Sequence, residues 1–537
     1  MRKVVKIGIL AALLCISIVG LTLCASALVM TGKCGDNITY TLDTETGILD
    51  LTGSGETYNY TSIKEGSDWN YRMYPSSPWG KDYLSAVRTI HVGEGITRIG
   101  TWAFYGAAAE TVTLPSSLQV IGNSAFAHTK IEKIELPENL VEIADSAFEF
   151  CERLTEINVP DSVTKIGNSC FFSCTNLAEI KMSANIEEIT TWAFAQTAWY
   201  DNQPDGIIYL ADIVYGAKGD MSGDFTVKDG TRMIADAAFY NCSALTSIEL
   251  PNSLLKIGES AFSGCSALNA ITIPNNVIYI GHAALNKCTG LKEVTVPFVG
   301  TSHSPDSDLE AAFGYFFGYQ TITKAPSYDT VPEGYTYQVY QDGRYYCFGI
   351  PQTIRTVTVT KDEDIGNAFV NCSFLSSVKI LNPACSIGYN PTAIEKSITI
   401  YGFAGSTAEA YATKYNRTFV ALEPTSLTAK VSAATYASGT ATLRVTATPT
   451  VTEGMEVERY GVFFAPAKYA DSYATNGQVA AKDGTLEDGK SFAADLIGIP
   501  ESAYDVKIYA WAFVKLVGVS DLVVCPLDPV SIHDIVK

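Results

Sequence analysis

The 537-residue chain carries 57 acidic against 37 basic side chains, a net charge of −20, and 47% of its residues are hydrophobic. With Lys and Arg dispersed and no basic stripe, that charge excludes a nucleic-acid partner and sets the chain against anionic lipid surfaces. Five histidines, none in an H-E-x-x-H pattern, and no G-x-S-x-G elbow argue against metalloprotease and serine-hydrolase chemistry.

Arg2, Lys3 and Lys6 precede an apolar run from Ile7 to Leu23 and then Ala25-Ser26-Ala27. This reads as a secretory signal peptide over residues 1–27, which predicts a secreted or cell-surface protein with no membrane insertion after cleavage. An uncleaved anchor is the alternative for a run of this length. Lipidation at Cys24 is disfavoured, because Leu23 stands where a small residue is wanted. Residues 28–88 read as an N-terminal β cap region. Strand-like Ile38–Leu42 and Ile48–Thr52 lead into the aromatic residues Trp69, Tyr71, Tyr74 and Trp79, a segment suited to covering an open sheet edge.

A repeat begins at about residue 89. Cys151, Cys174, Cys242, Cys265, Cys288 and Cys372 each lie three residues after Phe148, Phe171, Phe239, Phe262, Leu285 and Phe369, with neighbouring marks 23 residues apart. So regular a spacing is that of one supersecondary unit stacked on the next. Within a unit, Ile157 and Val159 alternate with Glu156 and Asn158, the period of a short strand buried on one face, and Pro160 ends it. Val163 and Ile166 then begin a second edge with a short helical or irregular turn. Units opened by Phe104 and Phe126 are one residue shorter, the missing residue falling in the turn of the cysteine. A repeated lone cysteine with no partner inside its own unit predicts a small buried hydrophobe rather than a disulfide or zinc ligand.

The pattern resembles the BspA-type (Treponema pallidum-type) leucine-rich repeat, close to L-P-x-x-[LV]-x-x-I-[GA]-x-x-A-F-x-x-C-x-x-L-x-x-I. The resemblance covers residues 89–421, including a closing segment at Ala404–Ala412, and insertions near 199–232 and 298–353 interrupt it. It implies a repeat solenoid of short strands and irregular turns with a period of about 23 residues. It also implies a secreted or surface-exposed protein that binds, adhesin-like, rather than catalyses.

After Glu423-Pro424 the period is lost. Residues 425–537 show alternating stretches such as Ala441–Thr448, Tyr460–Phe464 and Val506–Phe513, suggesting an immunoglobulin- or fibronectin-like β-sandwich without the Cys-Trp-Cys signature. Gly484–Ser491 fits G-x-x-x-x-G-K-[ST], yet Glu487 and Asp488 would repel phosphate and Pro500 truncates the required helix, so an exposed hairpin loop is the better reading. His303 with Asp306, Asp308 and Glu310 lacks calcium-loop spacing and reads as a solvated acidic loop.

The outward strand positions supply the candidate partner-binding face: Lys133, Glu135, Glu156, Asn158, Glu179, Lys181, Glu249, Thr272, Glu293 and Thr295. Such positions must be polar for solubility alone, so the assignment to a protein or glycan ligand rests on the resemblance. No cofactor and no catalytic residue is expected. The alternatives are a glycan-active enzyme built on a pair of sandwich carboxylates, with the repeats as scaffold, and a passive structural surface component.

Overall fold

The computed structural model describes residues 28–67, 70–325, 331, 333–341, 343–436, 440–452, 457–466, 478–483, 491–505, 507–516 and 522–535. The signal segment and residues 484–490 of the phosphate-loop-like stretch lie outside these. Among the described residues no helix is long and apolar enough to cross a membrane. The chain forms two units, one reaching Pro204 and including 208–211, the other comprising 205–207 and everything from Asp212.

One turn of the solenoid shows why this sequence coils. In the strand Glu156–Asn158 the side chain of Ile157 is buried and its neighbours are exposed. Val163 N–H donates to the Pro160 carbonyl at 3.0 Å, closing the turn that proline opens. Lys165–Ile166 then pairs in parallel with Glu142–Ile143 of the turn before. Gly167 follows because its backbone passes so close to that turn that a Cβ would lie 2.4 Å from the Asp145 nitrogen. Asp145 in return accepts from Asn168 N–H at 2.8 Å. Ser169 takes a left-handed φ of 54°, turning the chain inward to bury Phe171.

The phenylalanines form the core. In the first unit Phe104, Phe126, Phe148, Phe171 and Phe194 stack with centroids 5.1–5.4 Å apart and planes within 24° of parallel. Trp79 heads this column 5.5 Å from Phe104, its indole N–H donating to the Ala103 carbonyl at 2.8 Å. Trp199 closes it edge-on to Phe194. The antiparallel strands Val29–Gly35, Ile38–Asp43 and Ile48–Gly53 precede the column. The third pairs in parallel with Thr89–Val92, which pairs with Thr111–Thr113.

All eleven cysteines in the described residues are free, and of the six repeat cysteines only Cys242 is less than fully buried. Their role is more specific than filling space. The thiols of Cys151, Cys174, Cys265 and Cys288 donate to the carbonyls of Phe126, Phe148, Phe239 and Phe262, one turn back, at 3.1–3.3 Å. In the shorter turn the missing residue falls beyond the cysteine position, which Thr129 occupies, its hydroxyl donating to Phe126 O at 2.8 Å. Around Lys133 and Glu135 the expected strand is not formed, and the next strand on that side of the coil is Glu156–Asn158, paired with Glu179–Lys181.

In the second unit Ile213–Lys218 and Gly223–Thr226 pair in parallel with Met233–Ile234 and Leu245–Glu249, starting both ladders together. A six-stranded parallel sheet runs from Ala270–Thr272 through Glu293–Val296, Thr356–Val359, Ser377–Ile380 and Thr399–Gly402 to Phe419–Ala421. Of the stretch 298–353, the short helix Phe313–Phe317 belongs to the coil, with Leu285 N–H donating to Phe316 O at 2.7 Å. Tyr319–Ile322, Arg344–Phe348 and Thr336–Gln341 make a separate three-stranded antiparallel sheet. Gln338 ties that sheet to the coil. Its buried amide accepts from Gly314 N–H at 2.6 Å and donates to Ala368 O at 2.7 Å, making the hydrogen bonds a neighbouring peptide group would otherwise make.

The helix Thr407–Tyr415, capped by Ser406 and ended by left-handed Asn416, follows the fifth strand of that parallel sheet. Beyond it, seven strands form two antiparallel sheets. Ser426–Tyr436, Thr440–Thr450 and Phe492–Pro500 make one, and Gln478–Asp483, Val457–Pro466, Ile508–Leu516 and Leu522–Val530 the other. Leu443, Val445, Val462, Phe464, Ala512 and Val514 pack together between them.

Two predictions follow from this packing. Phe171→Ala removes a fully buried ring from between two others and should cost roughly 3–5 kcal/mol, read as a lowered urea midpoint. Asp362 is buried and accepts from Val299 N–H at 2.8 Å, but desolvation outweighs its hydrogen bonds and pushes its pKa up to about 6. A raised carboxyl pKa favours the native state when protonated, so burial of the charge opposes folding at neutral pH and the penalty fades as pH falls through 6 toward 4. Relative to Asp362→Asn, the unfolding free energy of the native sequence should rise by roughly 2–3 kcal/mol between pH 7.5 and pH 4. Parallel pH dependences in the two proteins would refute this.

Candidate interaction surface

The strands that bury Ile157 and half-bury Ile180 turn the alternate residues outward, and this period of two fixes most of the candidate face. In the first unit Glu156 lies directly opposite Glu179, and Asn158 opposite Lys181, in a parallel register. Two carboxylates so placed repel unless cations intervene. Lys133 supplies one, its Nζ 2.7 Å from Glu156 Oε1. That contact holds the Glu156 carboxyl below, and the Lys133 ammonium above, their ordinary pKa values, with Lys181 adding a smaller effect on Glu156. Both partners are well exposed, so water and salt screen the pair and its contribution to stability is small. Lys133, Glu135, Glu156, Asn158, Glu179 and Lys181 are all exposed.

A second set of charges flanks the row. Arg153 reaches Glu110 at 3.2 Å and Glu132 at 3.3 Å, while on the other ladder Lys165 sits 3.8 Å from Glu142 and 3.5 Å from Glu188. The first unit thus presents alternating charges held one turn apart by a hydrogen-bonded scaffold.

The remaining four candidates belong to the second unit, and they differ in character. Glu249 is exposed, opposite Thr226, whose hydroxyl donates to it at 3.2 Å. Glu293 faces Ala270 and Thr356, and Thr295 faces Thr272 and Thr358. Thr272 and Glu293 are exposed, but Thr295 is half-buried and Thr358 is buried. This row is hydroxyl-rich and closes toward its later strands.

Reading by the cysteine mark misses a further row in the first unit. Trp102 and Tyr105 stack at 4.0 Å, Tyr105 meets His128 at 5.1 Å, His128 stacks on Phe150 at 4.6 Å, and Phe150 meets Phe172 at 5.8 Å. His128 and Phe150 have left-handed φ values of 60° and 56°, at a position that holds Gly106, Asn241, Gly264 and Asn371 in other turns. An aromatic residue there costs about 1–2 kcal/mol of backbone strain. The Trp102–Tyr105 and His128–Phe150 ring faces are spent on each other, so the row offers a ligand mainly edges.

His303 lies edge-on to Phe298 while Glu310 accepts from the Asp306 N–H. No group of three or more potential metal ligands forms among the described residues.

The repeat geometry is matched by a described family, the BspA type leucine rich repeat region, in six copies over residues 83–199 and 221–305. Within those two stretches the repeats are BspA-type leucine-rich repeats. Among solved structures, the chain is similar to a leucine-rich repeat protein from Eubacterium ventriosum at 21% identity, covering 66% of this chain and 87% of that one with a TM-score of 0.31. It is similar also to the pneumococcal vaccine antigen PcpA at 18% identity, covering 74% and 99% with a TM-score of 0.31. A leucine-rich cell surface protein from Faecalibacterium prausnitzii shares 20% identity over 70% of this chain and 77% of that one, with a TM-score of 0.16. No curated protein matches the chain.

The thiols of the repeat corner are shielded from reagents by burial. Burial pushes Cys288 up to about 12 and holds Cys174 and Cys265 well above the ordinary thiol value. Iodoacetamide at pH 8 should therefore label the repeat cysteines slowly in the native protein and rapidly after denaturation without reductant. A peptide linking Cys151 to Cys174 in the mass spectrum would contradict the free-thiol corner.

Proposed function

We propose that this chain is a secreted or cell-surface, non-catalytic binding protein, adhesin-like, whose repeat array engages an extracellular protein or glycan. The observation that carries the reading is the exposed row Lys133, Glu135, Glu156, Asn158, Glu179 and Lys181. It carries charges of both signs and is nearly neutral on a strongly acidic chain, and the paired strands Glu156–Asn158 and Glu179–Lys181 keep that part of its backbone in place. A pre-organised surface loses little entropy on binding, which favours recognition over a merely soluble face. Glu249, Thr272, Glu293 and Thr295 offer a second, less charged row to the same class of partner. The apolar leader over residues 1–27 and the BspA-type repeats support delivery to the cell exterior.

The test uses the mature chain against immobilised purified matrix glycoproteins and a glycan array. Glu156→Lys combined with Glu179→Lys should weaken capture at least tenfold while the melting temperature moves by no more than about 2 °C, since exposed charges contribute little to folding. Unchanged capture would remove the strand row from the binding site. Absence of capture by any target would leave a structural role.

A further inference from the structure

In the second unit a cleft of about 370 Å³ lies between the helix Thr407–Tyr415 and the segment 384–389, lined by Ser386, Tyr389, Thr407, Tyr411, Lys414 and Tyr415 among others. Tyr389 is 88% exposed, the most exposed large hydrophobic side chain of the described residues. Its backbone is nevertheless held. Gly388 N–H donates to Gly366 O at 2.7 Å, Asn390 donates to the Asn367 side-chain oxygen at 2.7 Å, and the Tyr415 hydroxyl donates to the Tyr389 carbonyl. An aromatic ring kept in water by a fixed backbone gains nothing for folding and is free to stack on something else.

Lys414 gives the cleft its charge. Its ammonium lies 5.0 Å from the centre of the Tyr415 ring, and it has no carboxylate partner among the described residues. Lys133 of the strand row is paired with Glu156, whereas Lys414 is available to an anion. The tyrosine pair Tyr411 and Tyr415, with centroids 4.9 Å apart, forms the floor. The Tyr411 hydroxyl is spent on the backbone, donating to Asn390 O and accepting from Ile394 N–H at 3.1 Å each, which fixes that floor.

We propose that this cleft binds a saccharide carrying a carboxylate. The exposed ring of Tyr389 suits the C–H face of a sugar, Ser386 brings a hydroxyl to the lining, Thr407 brings an oxygen that can only accept because its proton goes to the Pro383 and Cys385 carbonyls, and Lys414 pairs with the acid group. A peptide fits less well, because neither the helix Thr407–Tyr415 nor the segment 384–389 is a strand whose edge could take main-chain bonds. The site is independent of the strand row proposed above, and its failure would leave that reading intact.

The test is calorimetric titration of the full mature chain with tetragalacturonate and with sialyllactose, two sources of the same chemistry, alongside neutral cellotetraose and a hexaglutamate peptide. One of the acidic sugars should bind with a Kd below about 1 mM, and Tyr389→Ala and Lys414→Gln should each weaken it at least about tenfold with an unchanged melting temperature. Glu156→Lys with Glu179→Lys should bind it normally. The proposal is overturned if neither acidic sugar binds below about 10 mM, or if both variants bind as the native chain does. Cellotetraose binding as tightly as the acidic sugars would overturn the anionic assignment, and tighter binding of hexaglutamate would make the cleft a peptide site.

Discussion

No turn of this chain can bury its own apolar edge, so each must hand part of its core and part of its hydrogen bonding to the next. The contact that does this is the corner at the phenylalanine. Its ring lies between the rings of the turns before and after, its N–H donates to the following turn, and its carbonyl accepts a thiol or hydroxyl, as Phe148 does from Cys174. Stacked rings alone would permit sliding along the column. The polar bonds at the same corner set the register, because a buried carbonyl left without a donor costs about 1–3 kcal/mol.

The exceptions follow from that constraint. Wherever the repeat is interrupted, some other group must supply what the missing turn would have supplied. Trp79 provides a ring and an N–H at the start of the column, and the Gln338 amide a peptide's donor and acceptor. Leu285 shows the limit of substitution: it keeps the apolar volume without the ring, and the peptide of Phe316 still meets its N–H. Burying Asp362 is a costlier solution, since the Val299 and Asp364 amides only partly replace the lost water.

A scaffold so tightly registered separates folding from recognition. Residues pointing inward carry nearly all the stability, and those pointing outward are free to vary with little effect on it. The charged row of the first unit and the hydroxyl-rich row of the second are two outcomes of the same strand periodicity. Tyr389 and Lys414 lie off the ladder, where a loop and a helix replace repeat turns and strand periodicity no longer dictates what faces water.

The 23-residue spacing and the alternation at Ile157 and Val159 were enough to establish the solenoid, its inward residues and its outward polar positions, because stacking repeats the same environment at the same sequence offset. The free cysteines were legible for the same reason. What a repeat pattern cannot express is any contact that departs from the repeat. The strand lapses around Lys133, the rings of His128 and Phe150 occupy a repeat position that other turns give to Gly or Asn, the Gln338 amide bonds Gly314, and Tyr389 and Lys414 line one cleft, none of which the repeat offset predicts. These were decided by tertiary structure, since only the folded path of an interrupted coil determines which distant side chains meet.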